Sequence, residues 1–322
     1  MPKKRLLGCS FPVFIGIGIF FLVLFIVSII SGPIGKNQLG LPTWLVDIVN
    51  KPRPELPAEG VFHLLGFPIT NSIIATWITM AFLVSFCFAA TRKMTLVPGR
   101  QQSLLEFVIE ALLNFCRSVA GEKNGRRFFP IVATIFLFVS FNAWLSLIPG
   151  YGSIIAHTTE GDVHLLRGAN TDVNTPLALA LISFFFVEII GFSTLGIDYG
   201  KKFVNIGGLV QSVRLLSQGK IKEALSSLIF GIINIFVGLI ELVTEILRIV
   251  SLTLRLFGNM TAGEILLLLA GFLMPWLFAL PFYGLELLVG FVQALIFAAL
   301  TLIFLTVAVA SHGEHKEELA HH

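Results

Sequence analysis

From Ala224 to Ser311 the chain offers almost no place to turn. Ala224 to about Met274 is some 50 residues without a loop signal, or roughly 75 Å if helical at 1.5 Å per residue. Pro275 to Ser311 would add a helix of roughly 55 Å. The hydrocarbon core of a bilayer is only ~30 Å thick, and an ordinary tilt of ~20° does not absorb that excess. Gly271, Pro275 and Pro281 mark the one clear break. The stretch therefore predicts a long, steeply tilted helical hairpin inside a membrane.

The remaining chain agrees with a membrane setting. It is 56% hydrophobic and 13% charged, with a mean hydropathy of +0.90, whereas soluble domains carry roughly 25% charged residues. Several further apolar runs approach the ~20 residues that cross a bilayer. None alternates in the ten-residue pattern of a transmembrane barrel. An all-α polytopic membrane protein with about six membrane helices is the expected class. Cys9, Cys87 and Cys116 lack CxxC or metal-type spacing and read as free thiols. Leu-Leu-Gly-Cys9 precedes its apolar run, which excludes a lipoprotein box. Nothing in the sequence points to a cofactor, a metal or nucleic acid.

Residues 1–31 read as an additional N-terminal span. Its apolar run, Phe11 to Ile30, is longer than the 7–15-residue core of a cleaved signal. Residues 32–68 are rich in Pro and Gly and read as an extracytoplasmic loop with at most short structure. Span two runs from about Ile69 to Ala90. Residues 101–119 set Leu104, Leu105, Val108, Leu112, Leu113 and Phe115 against Gln102, Glu106, Glu110 and Arg117, the pattern of one amphipathic interfacial helix. Span three, about Phe128 to Ile148, ends at Pro149-Gly150. Thr171-Asp172-Val-Asn174 has the spacing of a helix cap before span four, about Pro176 to Ile197. Residues 69–312 form the main membrane domain, and 313–322 a solvated, His-containing cytoplasmic tail.

Of the 22 Lys and Arg, Arg248 and Arg255 lie in the long apolar stretch. With the N-terminus inside, Lys36, Lys51, Arg53 and Arg167 fall outside, and the other sixteen (22 less these six) fall inside. That asymmetry predicts cytoplasmic N- and C-termini.

Inside the long stretch, Glu241, Arg248 and Arg255 recur every seven residues and drift by only about 20° per step, so they form one polar stripe. Arg248 has Glu245 at i−3 as a structural partner. Arg255 has Ser251, Leu252, Gly258 and Asn259 at its helical neighbour positions, none acidic. An arginine at mid-membrane costs at least ~2.5–3.5 kcal/mol, so its partner must come from elsewhere: from Glu188 or Glu286 of this chain, or from another polypeptide. Glu264 follows nine residues later, about 13 Å along the axis and on the opposite face. Tyr283, Glu286 and Gln293 share a face of the last segment. Intramembrane acids of this kind mark ion or proton paths. Gly258, Ala262, Gly263, Gly290, Ala294 and Ala298 would let another helix approach closely.

Leu-Thr-Leu-Arg255-Leu-Phe-Gly-Asn-Met-Thr-Ala-Gly-Glu264 resembles the signature of subunit a of the F-type ATP synthase, the stator of its membrane motor. Val97-Pro-Gly-Arg, Leu147-Ile-Pro-Gly, Thr171-Asp-Val-Asn-Thr-Pro-Leu-Ala-Leu-Ala-Leu and Val292-Gln293-Ala extend the resemblance over about residues 60–312. It implies no catalysis on nucleotide by this chain itself. It implies that Arg255 faces a rotating ring of c subunits, each with a mid-membrane carboxyl. Peripheral-stalk b subunits, the rest of the synthase and the lipid of a bacterial-type plasma membrane are the other implied partners. Glu264, Glu286, Gln293 and Asn259 would line the half-channel open to the outside, and Glu241 and Ser251 would lie toward the cytoplasmic one. Many relatives carry a histidine where this chain has Glu264 or Glu286, so the resemblance here implies a carboxyl pair sharing a proton. Asn142 stands one position away from the family's asparagine, beside Ser146. The contrasting reading of the residues is a stand-alone transporter or channel with Arg255 as an anion site. It lacks the inverted repeat and the paired broken segments such proteins show.

Overall fold

A computed structural model describes residues 5–6, 9–31, 58–64, 66–92, 94–95, 99–158, 161–196, 199–200, 203, 207–218, 220–273 and 279–310. The expected break at Pro275, most of the 32–68 loop, the first part of the Val97-Pro-Gly-Arg motif and the tail from Ser311 onward lie outside these residues. The described chain forms seven helices: α1 (Phe11–Ile30), α2 (Asn71–Thr91), α3 (Arg100–Ser146), α4 (Asn174–Leu195), α5 (Gly207–Ser217), α6 (Ile221–Leu273) and α7 (Ala279–Ala310). Among them α2, α3, α4, α6 and α7 are long and apolar enough to cross a membrane, and α1 contributes a shorter apolar helix, Gly18–Ile30. The all-α polytopic class expected from composition is the class observed. α6 has 53 residues, about 80 Å of helix, so the absence of loop signals in that stretch was a true reading of its length. Pro281 does not break α7. It sits in the first turn, where a missing N–H leaves no intrahelical bond unmade.

Three expectations change in detail. The amphipathic helix and span three join without a loop. α3 turns at one residue, Gly121, whose φ of 78° and ψ of 170° are not helical. Glycine takes that conformation without a Cβ clash. At the same corner a Cβ on Gly125 would lie 2.7 Å from the Arg117 Cα, so the two halves meet backbone to backbone. Second, Asp172 does not cap α4. The N-cap is Val173, with no side-chain bond, and Asp172 accepts a 2.7 Å hydrogen bond from the Ser72 hydroxyl at the start of α2. Gln102, assigned to the polar face, is also nearly buried. Its amide exchanges two bonds with the Thr95 backbone.

The chain divides into two compact units. The first comprises Met1–Thr76, Asn142–Asp172 and Gly258–Val292. It holds two antiparallel hairpins in connecting segments: β3 (Gly60–Leu64) with β4 (Phe67–Thr70), and β5 (Ile155–Thr158) with β6 (Gly161–His164). A still shorter pair, β1 (Arg5–Leu6) and β2 (Cys9–Ser10), precedes α1. The α2 start is tied to this layer, with Asn71 Nδ2 donating to the His164 carbonyl at 3.2 Å. Ends of α3 and α7 pack closely in this unit. A Cβ on Gly290 would lie 2.7 Å from that of Ala143, Trp144 stacks on Phe291, and its indole N–H donates to the Leu287 carbonyl.

The second unit comprises Trp77–Phe141, Val173–Phe257 and Gln293–His322. Phe128, Val132, Val139, Val187, Phe297, Leu302 and Leu305 form its buried core. One polar bond crosses that core: the Ser183 and Thr301 hydroxyls meet at 2.8 Å, and Thr301 also reaches the Phe297 carbonyl. Outside the core the apolar surface is large. Ile229, Phe230, Phe236, Leu247 and Leu254 of α6 are all exposed, as helices that meet lipid require.

Candidate functional site

Two places gather the polar groups read from the sequence. The first is a cavity of about 430 Å³ inside the first unit. The end of α3 brings Asn142 and Ser146 to its wall, α6 brings Met260 and Glu264, and α7 brings Tyr283 and Glu286. The end of β6 brings His164, and the segment after it brings Arg167 and Asn170. Glu286 is buried, and its carboxylate lies against Gly263. Any Cβ at that position would collide with it, so the glycine on α6 makes room for the acid on α7. Glu264 is paired: Arg167 Nη2 donates to its Oε2 at 3.4 Å. The Arg167 side chain is only 11% exposed against 34% for Glu264. Glu59 accepts the His164 backbone N–H, and the His164 ring donates from Nδ1 to the Gly152 carbonyl.

The second place lies on α6 within the second unit. Arg248 and Glu245 form a bidentate pair at 2.9 and 2.7 Å, the longer contact a full hydrogen bond. The Arg248 guanidinium also stands 3.9 Å above the Phe304 ring. Glu188 of α4 accepts a 3.3 Å hydrogen bond from the Tyr199 hydroxyl. That ring fills the space where Gly191 lacks a side chain. Seven residues beyond Arg248, Arg255 is exposed. Leu252 and Leu256, which flank it on one side of the helix, are both buried. Among the described residues no acid pairs with Arg255. Helical spacing puts Ser251, Gly258, Asn259 and Ala262 on its side of α6, and all four are exposed.

The family described as ATP synthase A chain matches residues 73–306. The chain belongs to that family. It is 32% identical to ATP synthase subunit a of Gloeobacter violaceus, over 76% of this chain and 86% of the relative. Against ATP synthase subunit a of Desulfosudis oleivorans it is 32% identical, over 78% and 95%. Against that of Moorella thermoacetica it is 29% identical, over 80% and 98%.

The A-chain match runs from the start of α2 almost to the end of α7 and leaves α1 outside it. Of the four residues assigned to the outer path, the cavity wall contains Glu264 and Glu286. Gln293 is buried and Asn259 exposed, and neither is on that wall. Toward the cytoplasmic path, Glu241 is half-buried and Ser251 exposed. Asn142, one place out of step in the sequence, is buried and does reach the cavity. The residue that sequence reasoning missed is Arg167. In the sequence it is an ordinary loop charge, and its partner lies 97 positions away. No local signal connects the two.

Proposed function

We propose that this chain is the proton-translocating stator subunit of an F-type ATP synthase, with Arg255 facing a ring of c subunits. The observation that carries the reading is the exposure of Arg255, without an acid of its own chain among the described residues, on a face of small side chains. Small residues let a second helix come close enough for a carboxyl to reach a guanidinium. A guanidinium favours the ionised form of a carboxyl that meets it. A ring site arriving at Arg255 therefore gives up its proton, and the fixed charge blocks a direct leak from one side to the other. Family membership and the five long apolar helices support the same reading.

In this proposal the cavity with Glu264 and Glu286 belongs to the half-channel open to the outside, with Gln293 and Asn259 continuing the path. Glu241 and Ser251 lie toward the cytoplasmic half-channel. The subunit sits in a bacterial-type plasma membrane with both termini inside, as its Lys and Arg distribution indicates. Peripheral-stalk b subunits hold it against the ring.

Reconstitution tests the proposal. In liposomes containing the assembled membrane sector, proton flux should stop when the ring carboxyl is covalently modified. This chain alone should carry neither protons nor solutes. Flux by the isolated chain would refute the stator reading and favour a stand-alone transporter.

A further inference from the structure

We propose that Arg167 is a positioning residue of the cavity: it holds Glu264 as its counter-ion and thereby reserves the cavity for protons against metal cations. The inference rests on the half-channel reading above and adds a selectivity device to it. The described titratable and charged groups on the wall are Glu59, Tyr151, His164, Arg167, Glu264, Tyr283 and Glu286. Three are carboxylates, and Asn142 and Asn170 add amide oxygens. A water-filled space walled by such oxygens is the donor set that hard cations seek. Among these groups Arg167 is the only guanidinium or ammonium. It is tucked inward with little exposure, and it contacts Glu264 Oε2 directly.

The contact has two consequences. It removes one carboxylate oxygen from the set a metal cation would use, and it places a positive charge beside the site that cation would occupy. A proton is not excluded in the same way, because it moves along hydrogen bonds and needs only one acceptor at a time. Glu286, packed on Gly263 and without an arginine among its described contacts, is left to exchange that proton. The two glutamates therefore divide the work and do not share a single proton.

The test uses the full synthase in liposomes, with ATP-driven proton pumping followed at low and high sodium chloride and choline chloride as the ionic-strength control. Arg167→Gln should pump slower by roughly tenfold, as loss of an orienting partner does elsewhere, and should become further inhibited by sodium. Arg167→Lys should restore most of the rate and the indifference to sodium. A merely structural role would not create sodium sensitivity. Wild-type pumping and salt response in Arg167→Gln would overturn the proposal. Should Arg167→Gln fail to assemble, the pair Arg167→Gln/Glu264→Gln leaves no lone charge and keeps the question open to measurement. Its rate should be at least that of Glu264→Gln alone, in which Arg167 is left as a lone charge, and a clearly slower rate would overturn the proposal by showing that Arg167 acts on something other than Glu264. Block of wild-type flux by ring-carboxyl modification is measured in the same vesicles, so failure of the stator reading shows itself separately.

Discussion

Arg248 and Arg255 are the same residue type on the same helix, seven positions apart, and their surroundings differ at every point. Arg248 is mostly buried, paired with Glu245 and laid over Phe304. Arg255 is exposed, and no described residue of its own chain pairs with it. The first is what a protein does to make an arginine tolerable in an apolar place: an acid one turn away and an aromatic face on the other side. The second has neither among the described residues. An arginine left in that state is either an uncompensated cost or a group kept free for something that arrives from outside.

Substitutions can break or sharpen this contrast. The largest effect is expected from Arg255→Ala: coupled ATP synthesis should fall below detection while assembly of the membrane sector survives. Substantial synthesis in assembled Arg255→Ala complexes would end the contrast. Glu245→Ala should act the other way. It strands Arg248 as a buried charge, so thermal unfolding in detergent should report a loss of about 3 kcal/mol. Replacing the pair together, Glu245→Leu with Arg248→Met, should return most of that stability, because an apolar pair of similar volume has no charge to desolvate. A double variant as unstable as Glu245→Ala would mean that the pair does more than neutralise itself. Phe304→Leu should have the smallest effect, a loss of about 1 kcal/mol for the cation–π contact, with pumping unchanged.

The same contrast shows what the sequence made legible. Glu245 and Arg248 are three residues apart, so their pairing follows from helix geometry alone. The long helices follow from the length of their apolar runs, whereas α5, eleven residues without such a run, lies where the sequence reads as a basic loop. The corner at Gly121 falls between the amphipathic segment and span three where a glycine was available. Contacts made across long sequence distances did not declare themselves. Asp172 has the spacing of a cap and instead serves Ser72, one hundred positions earlier. Arg167 sits in a loop whose composition says only that it is polar. The hairpins β3–β4 and β5–β6 use strands of four or five residues, too short for an alternating pattern to stand out. Of the candidate site, the acids on helices were readable because a charge in an apolar run is conspicuous. The arginine that pairs with one of them was not, because its own neighbourhood is ordinary.

The Ser183–Thr301 bond is small in energy, since hydroxyl contacts between membrane helices average only about 0.6 kcal/mol, but it is directional. If α7 rolls about its long axis beside α4, the Ser183 hydroxyl loses its partner, whereas Thr301 keeps its bond to the Phe297 carbonyl. Rotation of α7 beside α4 at that level therefore carries a small cost that depends on orientation.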